Sequence, residues 1–119
     1  MAIVFFSNDQ LLDINYCGSV PTSKSATWDL KDSGAPVTND EAAACILMDV
    51  AEGTIITLYD DPDGSTSDDY TTITVTENIY QYTMLSFEGS PNGPIPVNIV
   101  YHKHNGLNGK VSRIQVEAP

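Results

Sequence analysis

The chain contains an internal echo that narrows its fold more than any other feature. Asn39-Asp-Glu-Ala-Ala-Ala-Cys-Ile46 is a polar corner running into an apolar stretch, and Asn108-Gly-Lys-Val-Ser-Arg-Ile114 repeats the frame Asn-x-x-x-small-x-Ile. The apolar part is shifted by one residue between the two copies. Around these corners the chain is a succession of short β-prone segments punctuated by turn residues, and no stretch keeps a long 3.6-residue apolar period. Strands are expected at 2–7, 11–17, 26–30, 43–50, 54–60, 70–76, 82–87, 97–102 and 111–117. Regular spacing of this kind indicates a sandwich or a barrel. Residues 54–59 and 71–75 read as partners in one hairpin, with Pro62 fixing one φ angle of the connection and Gly64 free to adopt a positive one. The only helical candidate is 39–47, where Asn39 could cap and Ala42, Ala43 and Ala44 are good helix formers. The strand-like second copy favours strand from Ala43, preceded by a helical turn at 40–42.

The first polar loop, the Gly53-Thr-Ile-Ile-Thr-Leu-Tyr-Asp-Asp-Pro-Asp-Gly64 segment bracketed by Tyr59 and Gly64, and the second loop at Asn108 together resemble the Greek key junctions of the βγ-crystallins. The resemblance covers both halves of the chain. It implies an all-β, two-sheet β-sandwich of two Greek key motifs in a single domain over 1–119, with one key at about 1–50 and the other at about 51–119. Relative to two minimal keys the second half is long, which implies an inserted hairpin or loop at 78–96. Gly89, Pro91, Gly93, Pro94 and Pro96 make the latter part of that segment a loop.

The resemblance also implies calcium bound between paired loops, by carboxylate, hydroxyl and carbonyl oxygens. The first loop keeps Asp40 but has Ala43 where the hydroxyl belongs; the second keeps Ser112 but has Gly109 where the carboxylate belongs. If the loops exchange ligands, Asp40 and Ser112, with the backbone carbonyls of Glu41 or Lys110, make one weak site. If they do not, both sites are crippled. No cofactor is required, and calcium is the optional ion the resemblance implies. The implied strand order sets the first strand between those carrying Cys17 and Cys45. Two strand spacings of ~4.8 Å exceed the ~7 Å that a disulfide spans between Cα atoms, so two reduced thiols are expected.

A net charge of −11, from 16 acidic and 5 basic residues, opposes nucleic-acid and anionic-membrane partners. No apolar run approaches the ~20 residues of a membrane-spanning helix, and the start lacks a signal-like pattern, so a cytoplasmic setting is expected, with secretion as the alternative. Asp60, Asp61, Asp63, Asp68 and Asp69 do not fit an EF-hand frame, because Tyr59 and Tyr70 would occupy its first and last ligand positions; they read as a solvated acidic loop. His102 and His104 would share a strand face but lack the further ligands a transition metal needs. No nucleophile elbow, metalloprotease helix or phosphate loop is present in the sequence, so no enzyme is expected. Tyr80 and Tyr82 flank the surplus loop and are the candidate partner contacts. The expected function is that of a non-enzymatic, crystallin-like structural or abundant developmental or stress protein of microbial or fungal type, monomeric or weakly dimeric. The alternatives are a binding effector, toxin-like or protease-inhibitor-like, acting through 78–96 on a protein partner the sequence does not identify, and a calcium-binding protein.

Overall fold

Residues 70–75 alternate β-branched side chains so regularly that one face is apolar, and in the computed structural model Thr71, Ile73 and Val75 are buried while their neighbours are not. The structure describes residues 1–89 and 95–119. Among the described residues there are nine strands: β1 (Ala2–Phe6), β2 (Tyr16–Pro21), β3 (Ala26–Asp29), β4 (Ala44–Val50), β5 (Ile55–Tyr59), β6 (Tyr70–Val75), β7 (Ile79–Met84), β8 (Val97–His102) and β9 (Arg113–Glu117). All strand pairs are antiparallel. One sheet has the order β2-β1-β4-β7 and the other β3-β9-β5-β6-β8.

That order is two Greek keys with their third strands exchanged. The first key contributes β1, β2 and β4 to the four-stranded sheet and sends β3 to the edge of the other. The second contributes β5, β6 and β9 to the five-stranded sheet and sends β7 back. The surplus in the second key is β8, which pairs with β6 from Tyr70↔His102 to Val75↔Val97 and widens that sheet by one strand. The buried apolar residues of both sheets form one cluster, with Phe5, Leu47, Ile56, Leu58, Ile73 and Ile114 among those shielded from solvent. Burying such side chains contributes roughly 1.5–3 kcal/mol each.

Three segments differ from the sequence expectation. A strand was expected at 11–17, but that region is a loop with a one-turn 3-10 segment at Asp13–Asn15, and β2 begins only at Tyr16. Leu12 and Ile14, within the expected strand, are both exposed. β2 runs through Gly18, which holds φ 129° and bridges to Val37. The third strand of the second key was expected at 82–87, but it starts at Ile79, which is buried opposite Val50, and stops at Met84. Phe87 leaves the strand to pack its ring against Phe5, centroids 6.2 Å apart. The helical turn expected at 40–42 is a non-helical turn, because Asp40 takes φ 60° and cannot continue a right-handed helix. The portion of the expected loop at 90–94 lies outside the described residues.

The two outer faces are unlike. On the five-stranded sheet the outward rows carry Asp29, Arg113 and His102 among tyrosines and threonines. On the four-stranded sheet the outward positions of β1 are Ala2, Val4 and Phe6, and those of β4 are Ala44, Ile46 and Met48. Their neighbours on the flanking strands are Tyr16, Ser19, Pro21, Gln81 and Thr83, and the charged residue of these four strands is Asp49, exposed beside Met48 in β4.

Candidate functional site

The two polar corners meet at the centre of the molecule. The Asp40 amide donates to the Val111 carbonyl at 3.1 Å, and the Gly109 amide donates to the Ala42 carbonyl at 2.8 Å. These reciprocal bonds equate Asp40 with Gly109, and both sit in the left-handed region, at φ 60° and 81°. They also equate Ala42 with Val111 and Ala43 with Ser112. The apolar parts of the two corners therefore align without the one-residue shift. Cys45 and Leu47 face the core in the first, Ile114 and Val116 in the second, and Ile46 faces outward.

Reciprocal pairing brings Asp40 and Ser112 together. The Ser112 hydroxyl donates to Asp40 Oδ1 at 2.8 Å and also approaches the Lys110 carbonyl at 3.4 Å. Asp40 is exposed and Ser112 is buried, so the pair opens to solvent on one side. Glu41 lies exposed in the same turn, and its carboxylate acts on Cys17. On the pseudo-symmetric side the same positions are Ala43 and Gly109, which offer no side-chain oxygen. One carboxylate, one hydroxyl and one carbonyl are a partial fit to a cation that takes 6–8 oxygens, so water would supply most of its shell.

A second constellation escaped the sequence reading. Asp69 is fully buried and not part of a solvated loop. Its Oδ1 accepts the amides of His104 at 3.0 Å and Asn105 at 2.7 Å, and its Oδ2 accepts the Gly106 amide at 2.9 Å and the Tyr101 hydroxyl. Glu88 Oε2 takes the next two amides, those of Leu107 at 3.0 Å and Asn108 at 2.8 Å. Five successive N–H groups in a segment without secondary structure are thus satisfied by two carboxylates, which position the second polar corner. Asn108 completes the knot by accepting the Phe87 amide and donating to Ser86 Oγ, both at 2.8 Å. Burial alone would raise the Asp69 pKa, but the Tyr101 hydroxyl and the three amides outweigh it and hold the carboxyl below its ordinary value. The same contact helps burial push the Tyr101 phenol above its usual range.

Oxygens of Asp60, Asp68 and Asp69 lie within 4.8 Å of one another. Asp69 is already saturated by four donors, which leaves Asp60 and Asp68 facing each other. Burial and then the Asp68 carboxylate push Asp60 up to about 6. A carboxyl whose folded pKa exceeds its unfolded value stabilises the fold at low pH and loses that contribution as pH rises through the folded value. Asp60→Asn is therefore expected to stabilise the protein at pH 7 by about 1 kcal/mol, after allowing for screening at a partly exposed site. Parallel thermal melts of variant and parent should show the gain at pH 7 and its disappearance below about pH 4.

The remaining candidate positions resolve as follows. β8 ends at His102, which stacks on Tyr70 with ring centroids 4.1 Å apart, while His104 lies beyond the strand, so the two do not share a strand face. Tyr59 stacks on Tyr70 at 5.9 Å, and Gly64 allows the β5–β6 connection to lie on Arg113, which donates to the Pro62 carbonyl at 3.0 Å. Cys17 and Cys45 are free and buried, on β2 and β4 with β1 between them. Burial pushes their thiols up to about 11 and about 12, so both are unreactive at neutral pH. Tyr80 is 87 % exposed, whereas Tyr82 is half-buried at a cavity of about 430 Å³. No helix among the described residues is long and apolar enough to cross a membrane.

The fold and its paired corners define a β-sandwich of two strand-exchanged Greek keys. Compared with protein-family models, with curated proteins and with solved structures, the chain matches none.

Proposed function

We propose that the chain is a non-enzymatic, βγ-crystallin-like structural protein whose paired corners keep one weak calcium site and have lost the other. The observation that carries this reading is the reciprocal pairing of Asp40 with Val111 and Gly109 with Ala42, which brings the Asp40 carboxylate and the Ser112 hydroxyl together on one side. Asp40 Oδ1, Ser112 Oγ and the Lys110 carbonyl are the oxygens that would hold the ion. Once bound, calcium would tie the first corner to the second and add to the rigidity of the sandwich. A single carboxylate argues for millimolar affinity, since affinity in oxygen sites follows ligand charge and rigidity. The role itself is that of a durable component, abundant or stress-related, whose buried thiols and single core favour persistence over turnover.

A thermal melt in chelator and in calcium tests this. At about ten times a millimolar Kd, a ligand that binds only the folded state stabilises it by about 1.4 kcal/mol, and the midpoint should rise by a few degrees. Asp40→Ala should abolish the rise. No shift in the parent protein would remove calcium from its function, and an undiminished shift in Asp40→Ala would move the ion elsewhere, to the Asp60 and Asp68 pair.

A further inference from the structure

We infer that the cavity beside Tyr82 binds a small amphipathic amine, with its apolar body between the two sheets and its ammonium group at Glu88. The cavity follows from the strand count. Five strands lie against four, β8 is an outer strand of the wider sheet and β7 an outer strand of the narrower one, and residues of both edges bound the cavity of about 430 Å³. Tyr82 and Met84 of β7 pair with the buried Leu47 and Cys45, so both lie on the inward face of their sheet. Ile99 of β8, paired with the buried Ile73, lies on the inward face of the other.

The lining sets the chemistry of the ligand. Its volume falls in the lower part of the ~300–1,000 Å³ that small-molecule sites occupy. Met84, Leu85 and Ile99 give apolar walls and Tyr82 an aromatic one, and the unbranched thioether of Met84 adapts to bodies of different shape. Burial raises the Tyr82 phenol above its ordinary range, so that wall stays neutral. The polar lining comes from Ser86 and Glu88, which follow the C-terminal end of β7. Ser86 Oγ is already engaged by the Glu88 amide at 3.1 Å and by Asn108 Nδ2 at 2.8 Å.

Glu88 selects the headgroup. It is exposed, which puts its carboxylate at the mouth of the cavity. The amides of Leu107 and Asn108 converge on Oε2 and fix the group, while Oε1 has neither an amide donor nor a Lys, Arg or His partner among the described residues. A fixed carboxylate without a counter-ion beside an apolar wall matches an ammonium group, which brings donors as well as charge. The net charge of −11 gathers cations around the chain and opposes a carboxylate or phosphate headgroup. Together these features favour an amine over a fatty acid or another anionic amphiphile.

NMR titration of the full chain with 2-phenylethylamine, 2-phenylethanol and phenylacetate tests the site, because the three probes share a phenyl body and differ in headgroup. The amine is expected to shift the methyl signals of Met84, Leu85 and Ile99 saturably, with a Kd on the order of 1 mM for so small a ligand. The alcohol should bind roughly tenfold more weakly, and phenylacetate should not bind up to about 20 mM. Raising NaCl from about 0.1 M to about 1 M should weaken the amine several-fold and not the alcohol. Glu88→Gln keeps an oxygen for the two amides and removes the charge. The amine should then fall to the affinity of the alcohol, and an unchanged alcohol titration shows that the cavity is intact. Absence of saturable shifts at the three methyl-bearing residues would overturn the inference, as would phenylacetate binding as tightly as the amine or Glu88→Gln leaving the amine unaffected. Amine-induced shifts confined to Asp40, Asp60 and Asp68 would also overturn it, since they would report attraction to carboxylates elsewhere.

Discussion

Asp69→Ala is expected to lower the unfolding free energy by about 3–5 kcal/mol, the range measured when one partner of a buried charged network is removed. The substitution strands the amides of His104, Asn105 and Gly106 and the Tyr101 hydroxyl, four donors that now converge on one carboxylate. Each loses a charge-assisted bond worth roughly 1.5–3 kcal/mol, partly recovered as water enters the loop. In a chain of 119 residues the midpoint should fall by about 10–20 °C. Asp69→Asn keeps the shape and one acceptor but turns an amide group towards the donors, so an intermediate loss is expected.

The pH dependence provides an independent check. The Asp69 pKa is depressed in the fold, so its contribution is complete above the unfolded value of about 4 and is lost as pH falls through the folded value. The difference between parent and Asp69→Asn should accordingly narrow as pH is lowered from about 5 towards 2, in urea melts at fixed temperature. A difference that stays constant across that range would mean that Asp69 acts through its shape alone. The opposite pH trend is expected of Asp60, whose raised pKa makes ionisation unfavourable in the fold, so the two neighbouring carboxylates of one connection can be told apart.

Gly18→Ala is the second large effect, with an expected cost of about 3–4 kcal/mol from overpacking and backbone strain together. A Cβ at this position would lie 2.0 Å from the Pro36 carbonyl oxygen and 2.9 Å from Val37 Cα, both backbone atoms that cannot rotate away. The residue also holds φ 129°, which an alanine resists. The close approach matters because the 36–38 segment leads into the first polar corner, and the Thr38 amide is anchored on the Cys17 carbonyl at 3.0 Å. Gly34→Ala is the control: its φ is 81° but nothing lies within 4 Å of an added Cβ, so only the conformational cost of about 1 kcal/mol is expected. Equal losses in the two variants would mean that the chain does not pass so close to Gly18. Amide exchange at Thr38 should accelerate in Gly18→Ala and not in Gly34→Ala.

Much of the fold was legible along the chain. Thr54 to Tyr59 and Thr71 to Val75 announced one hairpin because β-branched alternation makes a pleated face that is half apolar, and they pair from Ile55↔Thr74 to Tyr59↔Tyr70. The repeat at Asn39 and Asn108 marked the two corners, but the left-handed turn that both make at Asp40 and Gly109 was not read from it. The corner pair Asp40 and Ser112 was one of two alternatives, the one in which the loops exchange ligands, and the repeat alone did not choose between them. Hydrophobicity misled at Leu12 and Ile14, which mimic a strand but stand in solvent, and at Phe87, whose burial belongs to a loop and not to β7.

What the sequence by itself determined is local: strand alternation, turn chemistry and the repeated polar corners, all set by residues within a few positions of one another; the left-handed turn at Asp40, where a helical one was expected, came from the structure. Only the tertiary structure decided which carboxylate is a ligand to backbone amides and which is a solvated charge. Asp68 and Asp69 are identical neighbours, yet Asp69 alone points into the fold, where a segment 35 to 37 residues further on supplies its donors. The exchange of third strands, β3 into the five-stranded sheet and β7 into the four-stranded one, is likewise a feature of the assembled fold. The four-stranded sheet, too, exists only once β1, β2, β4 and β7, scattered between residues 2 and 84, lie side by side.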